Sequence, residues 1–258
     1  MRLLVFWILY YVFKYRKIIV KENIINSFPD QPVEKIMKKF YLHLSDLLVD
    51  SILFSWISPN KISNKIKFSN SEFIDQLLSE KKGFLLMMGH FGNWEYAGAA
   101  LSIYTEQKMA AVYKPLKNKF FNKFLIQSRK RFGSDLFPIQ DFRKFVEYKK
   151  KGMGIIVIAD QSPTLKHHFM WLNFLNRPTA FHLGPEKFAK KLDLPVIYGD
   201  LQKINKNQYE LTFSWIEKNP KESLEGVITK VYAQKLEKNI EKHPYHWIWS
   251  HKRWKLKP

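Results

Sequence analysis

No cysteine occurs in the 258 residues, which excludes a disulfide scaffold, a cysteine zinc site and a thiol nucleophile and is compatible with a reducing compartment. Acids are scarce, 23 Asp and Glu against 43 Lys and Arg, leaving a net charge of +20 and a pI near 9.8. No apolar run reaches the roughly 18 residues that a bilayer-spanning helix needs. Several chemical signatures are also missing. Without a Gly-x-Ser-x-Gly elbow a serine acyl-enzyme is not expected. There is no His-Glu-x-x-His cluster, no Walker loop, and no Gly-x-Gly-x-x-Gly following a strand; Gly152–Met153–Gly154 precedes one instead. His167 and His168 are adjacent and point apart on any regular element, so no metal site is expected.

What is present is globular in balance, 46% hydrophobic and 26% charged, with 16% aromatic residues. So basic and aromatic a chain suits an anionic, partly apolar partner: a membrane surface, a nucleic acid or an acidic carrier protein. The N-terminus narrows that choice. Leu3 to Phe13 is an unbroken run of eleven apolar or aromatic residues, followed by Lys14, Arg16, Lys17 and Lys21. No small-residue cleavage site follows it, as a secretory signal requires. The pattern predicts a helix over about residues 1–17 dipping into one leaflet, with Trp7, Tyr10, Tyr11 and Tyr15 at headgroup level and the body of the protein on the cytoplasmic side. An ordinary core helix with a basic end is the other reading. A nucleic-acid module would need exposed aromatics on a sheet face or a recognition helix among the basic residues; neither is visible, and no nucleic-acid partner is expected.

Val33, Ile36, Met37, Phe40, Leu44, Leu47, Leu48 and Phe54 recur at helical spacing and predict one long amphipathic helix from Pro32 to Ile57; a second, Ser71 to Lys81, stops at Gly83. The rhythm then changes. Phe84–Met88, Met109–Tyr113 and Ile155–Ala159 are short continuous apolar runs, as expected of strands buried on both faces. Helical stretches alternate with them: Trp94 to Tyr104, Lys119 to Phe132 and Asp141 to Lys150. Beyond these lie a helix from Leu183 to Leu192, strands Pro195–Tyr198 and Tyr209–Ile216, and a last helix from about Leu224 to Lys242. The alternation predicts an α/β fold, a mostly parallel central sheet flanked by helices, with an N-terminal helical cap over 1–82 packed on a core over 83–258.

Ligands bind outside the carboxyl ends of parallel strands, where the sequence places Gly89–His90, Lys114–Pro115 and Asp160–Gln161. His90 and Glu95 are spaced His-x4-Glu. On an uninterrupted helix that spacing leaves the side chains about 140° apart, so they meet only if the chain bends. Gly89 and Gly92 supply a bend and Asn93 a helix N-cap, placing His90 on the loop and Glu95 in the first helical turn. A carboxylate on one imidazole nitrogen supports protonation at the other, giving a general base beside helix N-terminal amides suited to a developing oxyanion. The simplest chemistry left is attack of an activated hydroxyl on an activated acyl group; a thioester suits it, since its thiol leaves with little acid assistance.

Gly89–His90–Phe91–Gly92–Asn93–Trp94–Glu95 resembles the signature of the lysophospholipid acyltransferase superfamily, and more closely that of the lipid A biosynthesis acyltransferases that add secondary acyl chains. The resemblance continues through Val112–Tyr113–Lys114–Pro115–Leu116, Arg129–Lys130–Arg131–Phe132–Gly133, Ala159–Asp160–Gln161, Phe174–Leu175–Asn176–Arg177–Pro178–Thr179, Gly184–Pro185 and the block from Pro244 to Lys255. It implies a His90/Glu95 dyad deprotonating the acceptor hydroxyl without an acyl-enzyme. Arg131, with Arg129 as the alternative, would hold a phosphate or carrier anion, and Asp160 would brace the site. Lys114, Gln161, Gly92 and Asn93 complete the expected binding set, with amides near Gly92 at the oxyanion. Three positions depart from the family pattern: Lys114 for a usual Arg, which loses the bidentate fork, Asn176 for a common Gly and His246 for a common Gln. Relatives usually begin with a longer hydrophobic segment.

The implied donor is acyl carrier protein, or coenzyme A, carrying the acyl thioester. The implied acceptor is an anionic phosphorylated glycolipid, with a different lysolipid as the rival, and no cofactor or metal is implied. The expected location is the cytoplasmic face of the bacterial inner membrane, peripheral or held by one N-terminal anchor. Twelve Lys and Arg against three acids between Lys114 and Lys151 would steer such anions. Phe169 to Phe181 reads either as a wall of an acyl pocket or as packing, and Trp247, Trp249 and Trp254 either as a belt at the site's mouth or as core.

Overall fold

The computed structural model describes residues 1–106, 108–115, 118–165, 168–206 and 208–258; Leu116 and His167, named above, lie outside them. Strands β2 (Phe84–Met88) and β5 (Gly154–Ile158) lie side by side in parallel, in register from Phe84 opposite Gly154 to Met88 opposite Ile158. Beyond β5 come β3 (Met109–Tyr113) and the edge strand β4 (Asp135–Pro138), both parallel. On the other side β8 (Val196–Lys203) is parallel to β2, β9 (Tyr209–Glu217) is antiparallel to β8, and β1 (Ile66–Ser69) closes the sheet parallel to β9. The mostly parallel α/β sheet expected from the sequence is therefore seven-stranded and mixed, in the order β1-β9-β8-β2-β5-β3-β4.

Side chains alternate across the two faces of each strand, and here both faces are covered. Leu85, Met87, Ile155 and Val157 enter one core; Phe84, Leu86, Met88 and Ile156 enter the other. The first is filled by α10 (Val227–Lys242) through Ile228, Tyr232 and Leu236, and by α2 (Lys17–Ser27) and α3 (Val33–Leu53) through Val20, Ile24, Met37 and Phe40. The second receives α5 (Glu72–Ser79) and α6 (Trp94–Tyr104) through Ile74, Leu77, Ala97 and Leu101. The short helix α4 (Pro59–Ser63) precedes β1 and adds Ile62 to the second core, and helices α7 (Lys119–Lys130), α8 (Phe142–Lys150) and α9 (Gly184–Leu192) occupy the remaining crossovers.

Local departures from the sequence expectations have physical causes. Strand β8 runs five residues past Tyr198 because the antiparallel ladder with β9 carries it on. The edge strands β1 and β4 are four residues each, too short to show a period, and β1 draws part of the sheet from before residue 83. Phe169 to His182 folds as a hairpin of β6 (Phe169–Phe174) and β7 (Arg177–His182). Its two-residue turn places Leu175 and Asn176 at φ +52° and +61°, the left-handed pair that a tight hairpin requires and that Asn tolerates better than most residues. Asn176 in place of a glycine is thereby accommodated. Phe174, Phe181 and Trp249 are core residues, which assigns them to packing, whereas Trp247 is buried and also lines a cleft.

The N-terminal run forms α1 (Arg2–Trp7) and then a single π-helical turn, Ile8–Val12. Arg2 ties it to α3 through Asp46 at 3.3 Å and Asp50 at 2.7 Å. Leu3, Leu4, Trp7, Tyr11, Val12, Phe13 and Tyr15 face outward. Tyr10 does not: it is 2% exposed and its hydroxyl donates to the Glu34 carboxylate at 3.2 Å, which corrects the expectation that it lies among headgroups. Leu48, expected on the buried face of α3, is exposed, as are Ile52, Leu53 and Trp56. Among the described residues no helix is long and apolar enough to cross a membrane.

Candidate active site

The pairing of β2 with β5 builds the centre of the site. Since Met88 and Ile158 face each other in register, His90 and Asp160, each two residues further on, emerge together at the carboxyl edge of the sheet. His90 Nδ1 lies 2.5 Å from Asp160 Oδ1, and the His90 amide donates to Asp160 Oδ2 at 2.9 Å. Trp247 Nε1 donates to the same Oδ2 at 2.8 Å. Burial alone would push the Asp160 carboxyl up, but the His90 charge and the hydrogen bonds from His90 and Trp247 outweigh it and hold it at about 2. An ionised carboxylate only accepts, so the shared proton resides on Nδ1 and Nε2 carries the free lone pair. Burial works to lower the imidazole pKa, yet Asp160 and, more weakly, Glu95 raise it overall. The result is a buried carboxylate holding an imidazole in one tautomer, the pattern of a general base and its orienting acid.

The corner after β2 depends on two glycines. A Cβ on Gly89 would meet the Leu236 Cδ1 methyl at 2.6 Å, so α10 would have to repack, while Asp160 Oδ2 at 3.6 Å would be in ordinary contact. Gly92 sits at φ +59° and its amide donates to the His246 carbonyl at 3.0 Å. That bond corrects the sequence expectation: the Gly92 N–H is committed to the C-terminal segment and is not available to an oxyanion. Asn93 caps α6, accepting from the Tyr96 amide at 3.1 Å, while its own amide donates to Asp50 at 3.0 Å. It is 2% exposed and holds the corner in place, which corrects its expected role as a substrate ligand. Gly92→Ala forces a Cβ into the left-handed region and against Leu201 at 3.1 Å; we expect a loss of about 1–2 kcal/mol of stability, read from the urea midpoint at unchanged m-value.

An open cleft with about 400 Å³ of empty space lies over the dyad. His90, Asp160 and Gln161 form its floor, the C-terminal segment adds Trp247, Ser250 and His251, and the N-terminal segment adds Arg16. The Gln161 side-chain amide donates to His90 Nε2 at 3.4 Å, a long bond that an incoming acceptor hydroxyl would displace. His251 is pushed down to about 4, chiefly by burial, and is neutral near pH 7, able both to accept and to donate. Over residues 5–256 the chain matches the family model for bacterial lipid A biosynthesis acyltransferases. It belongs to that family. No curated protein in the comparison matches it.

In this acyltransferase the expected His90–Glu95 pairing is replaced by another. Both carboxylate oxygens of Glu95 accept from Arg129, Nε to Oε2 at 2.8 Å and Nη2 to Oε1 at 2.6 Å, and Trp94 Nε1 donates to Oε1 at 3.2 Å. The reason is geometric. Glu95 sits in the first turn of α6, where the last turn of α7 presents the Arg129 fork, while Nδ1 of His90 is already taken by Asp160. Of the two arginines that the sequence offers, Arg129 is the one paired with Glu95, and neither lines the cleft. Arg131 donates instead to the carbonyls of Phe54, Ser55 and Ile57, where α3 ends, and does not line the cleft; this corrects its expected role in holding an anion. Lys114 is exposed just past β3, two strands from β2, and is not a cleft residue.

Ser250, His251 and Arg16 are not among the site residues that the sequence offers, while Trp247, read there as belonging either to the site's mouth or to the core, is buried and lines the cleft. They arrive through long-range docking: the Asn23 amide on α2 donates to the Trp249 and His251 carbonyls at 2.8 and 3.0 Å. The only usable signal was the Trp- and basic-rich block near the C-terminus. Among the described residues no group of three or more His, Asp or Glu is arranged to hold a metal ion.

Proposed function

We propose that the protein moves a fatty acyl chain from the thioester of an acyl carrier protein to a hydroxyl of a phosphorylated lipid A precursor, with His90 as general base. Family membership supports an acyltransferase acting in lipid A biosynthesis. The observation that carries the mechanism is the Nδ1–Asp160 bond, which leaves Nε2 basic at the floor of a cleft. The acceptor O–H proton passes to Nε2 as the oxygen attacks the thioester carbonyl. The tetrahedral intermediate expels the thiolate, which recovers that proton as thiol. No bond to the protein forms, and the dyad returns to its starting state. Asp160 keeps the transient imidazolium favourable, and the Glu95–Arg129 pair braces the start of α6.

The exposed face of Leu3, Leu4, Trp7, Tyr11 and Phe13, flanked by Lys14, Arg16 and Lys17, supports peripheral contact with an anionic bilayer, here the cytoplasmic face of the inner membrane. Purified protein given labelled acyl carrier thioesters or acyl-coenzyme A, with lipid A precursors or lysophosphatidic acid as acceptors, tests the substrate assignment. Transfer to the lipid A precursor is expected; transfer only to the lysophospholipid would overturn it. Trp7→Glu/Phe13→Glu is expected to weaken partition onto phosphatidylglycerol vesicles at least about tenfold, measured by sedimentation, whereas an unchanged partition would remove that segment from the membrane contact.

A further inference from the structure

We propose that Arg16 forms a phosphate subsite at the rim of the catalytic cleft, binding a phosphate group of the glycolipid acceptor while its hydroxyl faces His90. The inference rests on the acceptor reading above and adds to it a residue from the opposite end of the chain. Three observations carry it. First, Arg16 lines the same cleft as His90 and Asp160, although more than seventy residues separate it from either in sequence. Second, its backbone is held in an unusual conformation. Lys14 and Arg16 both occupy the left-handed region, at φ +46° and +51°, which is strained for a non-glycine residue and persists only where the surroundings over-determine it. They do: the Tyr41 hydroxyl donates to the Tyr15 carbonyl at 2.6 Å, and the Tyr15 amide to the Leu9 carbonyl at 2.9 Å. The turn aims the guanidinium across the gap between the N- and C-terminal segments.

Third, the guanidinium is tethered but not consumed. Nη1 donates to the Ser250 carbonyl at 2.9 Å, a neutral partner, and no carboxylate pairs with Arg16 among the described residues. A planar donor fork with one edge fixed and its positive charge unneutralised is suited to a tetrahedral oxyanion. Its place in the chain also fits a lipid-borne phosphate. Arg16 directly follows the outward-facing Phe13 and Tyr15, at the level where the apolar segment meets polar headgroups. A phosphate on the donor's pantetheine arm has the same chemistry, and the measurements separate the two sources.

The test compares wild type, Arg16→Gln and Arg16→Lys on a bis-phosphorylated lipid A precursor and on its dephosphorylated analogue, varying acceptor and donor in turn. Glutamine removes the charge and also shortens the side chain, so the dephosphorylated acceptor serves as the control for loss of the Ser250 contact. We expect the preference in kcat/KM for the phosphorylated acceptor to fall about tenfold in Arg16→Gln, through the acceptor KM rather than kcat, and to recover largely in Arg16→Lys. Equal losses on both acceptors would make Arg16 a structural tether and overturn the proposal; a rise confined to the donor KM would overturn it in favour of the donor's phosphate. If wild type transfers to neither acceptor, the acceptor reading fails separately. Equilibrium binding of the labelled bis-phosphorylated lipid in detergent micelles then decides: weaker binding by Arg16→Gln supports the subsite and equal binding removes it.

Discussion

His90→Ala is expected to lower acyl transfer by at least about a hundredfold, the usual scale for removing a general base, with little change in the KM of either substrate. The loss falls on kcat because the imidazole acts on a proton that moves only in the transition state. The protein should remain folded. The His90 side chain is about one-fifth exposed, and Asp160, left without Nδ1, still accepts from the His90 backbone amide and from Trp247. Single-turnover transfer of a labelled acyl chain, read beside the urea midpoint, separates catalysis from folding. Near-wild-type turnover in His90→Ala would remove the dyad from the mechanism.

The residues of the dyad were legible in the sequence, but their pairing was not. His90 stood out for its glycines and for ending a buried apolar run, and Asp160 for ending another. Whether they meet depends on strand order: β5 lies between β2 and β3 in the sheet, and no local pattern in three similar apolar runs reveals which is the middle one. Spacing therefore favoured the nearest carboxylate in sequence, Glu95, over the nearest in space. The same limit hid the cleft's walls. Arg16 and Trp247 lie more than two hundred residues apart, and their approach depends on Asn23 docking onto the carbonyls of Trp249 and His251. The helices and central strands, whose signal is hydrophobic period, lie close to where the sequence placed them. Four-residue edge strands and a hairpin without alternating polarity carry no such period.

Asp160→Asn should cost nearly as much as His90→Ala, in the range of about 10²–10⁴ in kcat/KM, and should change the pH profile in a way that Glu95→Gln does not. In the wild type the carboxylate accepts from Nδ1–H, leaving Nε2 as the base. An asparagine amide donates to Nδ1 equally well, which moves the imidazole proton to Nε2 and removes the lone pair that must face the acceptor. The sign of the pH effect follows from the charges. Burial lowers the His90 pKa and Asp160 raises it beyond the ordinary value, so activity falls as pH drops through that raised value and the base protonates. Without the carboxylate, burial dominates, and the acidic limb of kcat/KM moves to lower pH even as the plateau falls. Glu95 is a weaker contributor to His90 than Asp160 and its oxygens are held by Arg129, so Glu95→Gln should shift the limb less, its loss coming mainly from the freed Arg129 fork at the start of α6. Should Glu95→Gln move the limb further than Asp160→Asn, the carboxylate that sets the base would be the one in the helical turn, and the pairing across β2 and β5 would not be the catalytic one.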